Sequence, residues 1–250
     1  MIARIMVFIF SLLGFVPTIH ADEVQADEIQ LENNFSGLIE LGGDRTVGNT
    51  DNNSFNSKLE LGHSYGNWST KFTFDASQKK ESGVLTEDKY NAILKSIYDL
   101  PEHFYTFIHL GYREDSFSGV YWEQTYIGGF GYHAFKDKPE YSLDFELGYG
   151  QRVTKKLVNG FVRSRLDYDP GTHIALITQY NFTDEDRLKA SITAELGNDD
   201  DYIKKEISWV HKLFGSFHLD VSYEALTLTK PGVNKVSTDA TTTYKLGYEF

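Results

Sequence analysis

The chain has 250 residues, with 24 Lys and Arg against 36 Asp and Glu and no cysteine. A formal charge of −12 argues against nucleic acid as a partner, since phosphate binding needs a basic face. The lack of cysteine excludes a disulfide scaffold, a thiol catalyst and any thiolate metal site, while 16 Tyr and 18 Phe are many for so polar a chain.

In chain order, MIARIMVFIFSLLGFVPTIHA places Arg4 before an apolar core at 5–16 and small Ala21 after it. That is the pattern of a secretory signal, expected over 1–21. The acidic stretch DEVQADEIQLENN at 22–34 lacks alternation and reads as a mobile periplasmic leader. No later stretch reaches about 18 consecutive apolar residues, so no transmembrane helix is predicted.

From residue 35 a period of two returns repeatedly. Trp68, Thr70, Phe72, Phe74 and Ala76 alternate with Ser69, Lys71, Thr73, Asp75 and Ser77. Tyr141, Leu143, Phe145, Leu147 and Tyr149 alternate with Ser142, Asp144, Glu146, Gly148 and Gly150. Such segments are strands with one apolar face. Strands are predicted near 35–46, 54–65, 68–79, 89–99, 103–114, 121–134, 140–152, 172–182, 187–197, 201–212, 216–228 and 238–250. Aromatics cluster towards the ends of several apolar faces with aliphatics between them, as in a lipid-facing band with two aromatic girdles. The inner face of a soluble sandwich has no reason to place Tyr and Trp at both rims.

Connections agree with this reading. Tight turns at 65–67, 100–103, 183–186 and 213–216 alternate with longer links at 79–88, from 153 onward and at 229–237. Pro101, Pro139, Pro170 and Pro231 all fall between predicted strands, where a missing N–H breaks no ladder. The segment FVRSRLDYD at 161–169 has a poor lipid face and is read as part of a long outer loop. The fold class is therefore an all-β, transmembrane, up-and-down antiparallel barrel of about 12 strands over 35–250, with both termini periplasmic. The last strand turns Tyr244, Leu246, Tyr248 and Phe250 to one face. Its final aromatic has the form of the signal read by the outer-membrane assembly machinery, so that machinery and outer-membrane lipid are the expected partners of a monomer.

Several stretches also resemble a known family. TVGNTDNNSFNSKLEL (46–61), EDKY (87–90), YREDSFSGVY (112–121), GGFGY (128–132), FELGYGQR (145–152) and the closing TTTYKLGYEF occur in the order found in the YdiY-like salt-induced outer-membrane proteins. The resemblance spans roughly residues 35–250 and rests on ordered co-occurrence. The chain departs from it at Asp115-Ser116-Phe117, where Asp-Arg-Phe is expected, and at Gly148-Tyr149-Gly150, where Gly-Pro-Gly is expected. The resemblance implies a barrel of this size and a link to salt stress, and it supplies no catalytic residues.

On the inward face the pattern places Glu40, Lys58, Glu60, Lys71, Asp75, His109, Arg113, Asp144, Glu146, Arg152, Lys189, Glu195, Glu206 and Lys245. Asp44, Lys95, Lys204, Asp220 and Glu224 share that face. A charged constriction of this kind selects ions, and its surplus of acids favours cations, with Asp144 and Glu146 as the acids expected to matter. The alternative is a salt-bridged, filled lumen in a non-conducting barrel, since twelve strands lie between filled and open sizes. An outer-membrane hydrolase is disfavoured by histidine placement. His63, His103, His133, His211 and His218 fall near the periplasmic turns, His173 near the outer rim, and only His109 inward at mid-strand. Asp199, Asp200 and Asp201 read as a solvated acidic loop, because consecutive side chains do not converge on an ion. The glycines at 111, 128, 129, 131, 148 and 150 precede no helix and mark bends or close approaches. No cofactor or metal is expected.

Overall fold

The computed structural model describes residues 33–43, 45–46, 52–117, 119–138, 140–158, 161–162, 165–198, 201–229 and 237–250. The expected export signal and most of the leader lie outside them, as do Asp44, Pro139, Asp199, Asp200 and Pro231. Twelve strands follow one another: β1 (Asn33–Gly42), β2 (Asn52–Tyr65), β3 (Trp68–Glu81), β4 (Val84–Asp99), β5 (Phe104–Asp115), β6 (Val120–His133), β7 (Tyr141–Val158), β8 (Asp167–Asn181), β9 (Asp186–Gly197), β10 (Asp201–Phe214), β11 (Phe217–Leu228) and β12 (Thr238–Glu249). Two-residue pairings at Arg45–Thr46 and Phe161–Val162 extend β2 and β7. Each strand pairs antiparallel with its neighbour in sequence, and β1 also pairs with β12, so the sheet closes into a barrel. Closure leaves no barrel strand with an open edge.

Register puts every second residue on one face. Phe130, Leu147 and Tyr149 are 66%, 62% and 65% exposed on the outer wall, in a belt continued by Ile108, Ile174, Ile192, Ile207 and Leu246. So wide an apolar surface is incompatible with water and suits hydrocarbon. Along β5 the outer face runs from Phe104 to Tyr112 before the charged Glu114, which at about 3.3 Å per residue and a tilt near 40° spans about 20 Å, within the height of an outer-membrane apolar band. At the end where β1 begins, aromatic pairs circle the wall. Phe104 meets Tyr132 at 5.1 Å, Tyr180 meets Phe182 at 5.1 Å, and Phe217 meets Tyr248 at 5.1 Å between ring centroids.

Two hairpins are longer than the alternation predicts. The link expected at 79–88 is a two-residue turn, because β3 continues to Glu81 and β4 starts at Val84. Ser82 and Gly83 take φ of 50° and 79°, the doubly left-handed geometry of a type I′ hairpin turn. Likewise β7 runs to Val158 and β8 begins at Asp167, so the outer loop expected from 153 shrinks to 159–166. Pro170 accordingly lies inside β8, opposite Gln151. The β9 ladder starts only at Gly171, so Pro170 has a strand neighbour on one side alone, where the missing N–H is tolerated. β1 starts at Asn33, two residues before the predicted boundary.

Part of the interior is apolar, which alternation alone did not suggest. Tyr105 and Phe107 point inward and are almost wholly buried against Ile127, with Ile97 beside them. Glycines on β6 and β7 make this space. A methyl group at Gly131 would collide with the Tyr105 ring, one at Gly129 with the Leu147 carbonyl and Phe107, and one at Gly148 would press tightly on Ile127 and Phe107. Gly131→Val is therefore expected to destabilise the barrel by about 1–3 kcal/mol, read as a lower urea midpoint at unchanged slope. An unchanged midpoint would mean that Tyr105 is free to move aside.

Candidate functional site

Among the described residues, many charged side chains gather in the lumen, on the face away from the apolar belt. All fourteen predicted lumen residues sit at inward register positions, yet their surroundings differ sharply.

Across β4 to β8 the interior is packed. Glu146, 5% exposed, accepts bonds from Lys95 on β4 and from the Tyr105 hydroxyl at 2.8 Å, and His173 Nε2 lies 3.4 Å from its other oxygen. Lys95 reaches Glu146 from three strands away, so this contact crosses lumen space. His173 is predicted near the outer rim, but β8 starts at 167, which carries it into the interior, 4% exposed. Its ring faces Phe107 at 5.7 Å and His109 at 6.3 Å between centroids. Asp144 is engaged by His133 Nδ1 at 2.7 Å, and His133 also approaches Asp99 at 3.3 Å. Nearer the other end, Arg113 pairs with Glu123 at 3.1 Å. Thr154 Oγ1 donates to Glu123 at 3.0 Å, and Arg152 donates to Asp169 at 2.8 Å and lies 3.8 Å from Glu195. A cavity of about 20 Å³ remains between Thr125, Arg152, Asp169, His173 and Glu195, room for about one water.

The opposite half, from β10 through β12 to β3, is more open. Lys204 bridges Glu206 at 3.1 Å and Glu224 at 2.9 Å, with side chains 33%, 34% and 44% exposed. Lys58 pairs with Glu60 at 2.9 Å, and Lys71 lies 3.9 Å from the same carboxylate. Asp75 is opposite Lys58 in the ladder, and Lys189 is opposite Ser208. Deeper, this half narrows. Glu40, 2% exposed, lies 3.1 Å from His218 Nε2 and 3.4 Å from Lys245. Ser208 donates to Asp220 at 2.7 Å, and Arg187 reaches Glu249 from three strands away.

Among the described residues no group of three or more His, Cys, Asp or Glu side chains is arranged to hold a metal ion. The terminal set behaves as one outer stripe: Tyr244, Leu246, Tyr248 and Phe250 are exposed on the wall. Phe250 continues the ladder beyond β12, donating to the Gly37 carbonyl at 2.9 Å and accepting from the Gly37 N–H at 2.7 Å. Alternation identifies which side chains face inward. It does not identify Tyr105, Phe107 and Ile127 as fillers, although the glycine runs GGFG and GYG opposite them were the available signal.

Comparison with known proteins gives three findings. Residues 39–250 match the family model described as Protein of unknown function, DUF481. A protein of Escherichia coli K12, Uncharacterized protein YdiY, is 24% identical over 229 residues, covering 90% of this chain and 87% of that protein. Among solved structures, the NanC porin matches with a TM-score of 0.52 at 11% identity, over 85% of this chain and 98% of its own. An outer membrane channel from Pseudomonas putida F1 matches with a TM-score of 0.50 at 11% identity, over 92% and 99%. These two likenesses are likenesses of fold.

Proposed function

The chain belongs to the DUF481 family, and from that premise we propose that it is an integral barrel of the outer membrane of a Gram-negative bacterium that passes small ions with a preference for cations. The observation that carries the reading is the unequal lumen. One half is closely packed, while the other keeps Lys204, Glu206 and Glu224 between 33% and 44% exposed. The apolar outer belt requires lipid around it, and the fold neighbours are named as a porin and a channel. The end with Asn33 and Phe250 has the turns at 66–67, 182–185 and 215–216. We assign it to the periplasm, with the overhanging β3–β4 and β7–β8 hairpins outside. The closing strand is the segment offered to the assembly machinery, and the barrel acts as a monomer.

Cation preference follows from carboxylates that share too few cations. Glu206 and Glu224 share the ammonium of Lys204, which leaves this triad one negative charge in excess. Asp144 and Glu146, the acids singled out by the alternation, are held by His133 and by Lys95, Tyr105 and His173. The proposal therefore moves selectivity to Glu206 and Glu224. In planar bilayers under a salt gradient, discrete openings with a cation-biased reversal potential are expected. Glu206→Gln with Glu224→Gln should cut the cation-to-anion permeability ratio by roughly twofold or more. Openings with no bias, or with a bias the double variant leaves intact, would refute the charge argument. The second reading is a closed, structural barrel, favoured by the near-complete burial of Glu40 against His218 along the wall and of Glu146 in its bond with Lys95 across the interior. Silence from a folded barrel would establish that reading instead.

A further inference from the structure

We infer that Arg113 and Tyr202 form a strut across the outer mouth of the lumen and set the bore through which ions enter; the inference rests on the channel reading and deepens it. Arg113 is two residues before the end of β5 and Tyr202 is the second residue of β10, so both stand near the end opposite Phe250. In a closed ring of twelve, β5 and β10 are five strands apart by one route and seven by the other. Side chains so placed meet only by spanning the lumen. They do meet: the Arg113 guanidinium carbon lies 5.8 Å from the centre of the Tyr202 ring, within the range of a cation–π contact.

The strut is anchored on one side and divides unlike spaces. Behind Arg113 stands Glu123, itself bonded by Thr154 and lying 3.9 Å from Arg152, which is bonded to Asp169. These residues come from β6, β7 and β8, so the guanidinium is held against a wall of several strands. On that side these side chains surround a cavity of about 20 Å³. On the other side lies the more exposed wall with Lys204, Glu206 and Glu224. Tyr202 and Lys204 are adjacent inward positions on β10, so the strut borders the space that the selectivity carboxylates line. A planar guanidinium suits this role better than an ammonium, because it can pair with Glu123 along its edge and present its face to the ring.

The test is single-channel conductance of the full barrel and of Arg113→Ala and Tyr202→Ala, with heat-dependent gel mobility confirming that each is folded. Tyr202→Ala leaves the Arg113–Glu123 pair in place, so it examines the bridge without exposing a buried charge. Both variants are expected to raise the unitary conductance about twofold or more. If the parent conducts and the folded variants conduct identically, the strut is refuted and the channel reading stands. A silent parent with conducting variants would support the strut and show that it closes the barrel. Should the parent and both folded variants be silent, the channel and the strut fail together.

Discussion

Lys95→Met is expected to lower the stability of the barrel by about 3–5 kcal/mol. Glu146 is almost fully enclosed, and its partners are Lys95, the Tyr105 hydroxyl and His173. Deleting the only lysine leaves a carboxylate with the Tyr105 hydroxyl and the His173 ring in an enclosed interior, and the uncompensated charge dominates the cost. The converse change is milder. Glu146→Leu strands Lys95, whose side chain is 19% exposed against 2% for Glu146, and a flexible stem can carry its ammonium towards water. A loss of about 1–3 kcal/mol is expected there, chiefly from the unpaired Tyr105 hydroxyl. Combining Lys95→Met with Glu146→Leu should recover most of the first loss, because an apolar pair removes the buried charge altogether. Urea unfolding in lipid vesicles, followed by tryptophan fluorescence, gives the three differences and their coupling. Equal losses for the two single variants, or simple additivity in the double, would show that the pair is hydrated rather than enclosed.

That asymmetry was beyond the reach of the sequence, although much of the architecture was not. Strands within the lipid belt are legible because hydrocarbon demands an apolar side chain at every second position. Tyr141 to Tyr149 can be read at sight for that reason. Where β3 and β4 leave the belt the demand ends. Lys79, Lys80 and Glu81 then carry charge on both faces while the ladder continues through them, and alternation mistakes a hairpin for a loop. The same loss of contrast at Lys155 and Lys156 hid the extension of β7, and with it the true place of His173. FYTFIHL at 104–110 is read correctly as a strand, but its two faces are hard to tell apart for the opposite reason. It is apolar on both faces, since Phe104 and Ile108 lie on the outer wall while Tyr105 and Phe107 fill space left by glycines on the next two strands. Face assignment needs only a period. Partner assignment across the lumen needs the stagger of the whole ring, which no local pattern carries. Lys95 with Glu146 and Arg113 with Tyr202 belong to that second kind.

The stagger also makes one seam weaker than the rest, and Phe250 is expected to hold it. β1 and β12 share the pairs from Leu38↔Glu249 to Gly42↔Lys245, whereas β1 and β2 pair from Asn33↔Tyr65 to Gly42↔Asn56. The closing seam is thus about half as long as its neighbour, and the two main-chain bonds between Phe250 and Gly37 are a large part of it. The Phe250 ring covers Gly37 so closely that a methyl group there would occupy the ring's position. A chain ending at Glu249 loses both bonds, roughly 1 kcal/mol each, together with that apolar cover. Gly37→Val keeps the bonds' donors and acceptors but displaces the ring, at about 1–3 kcal/mol. Phe250→Ala keeps the backbone and removes the ring alone. Refolding into vesicles should give folded yields that fall for all three, most for the shortened chain, with β12 closing slowly or failing to close. If all three refold like the parent, the seam does not depend on Phe250. If they refold normally in vesicles yet fail to reach the membrane in cells, the ring is read by the assembly machinery and the seam argument is wrong. Loss in both settings would mean that one aromatic serves recognition and closure together, since the strand proposed for recognition is the one whose edge Gly37 covers.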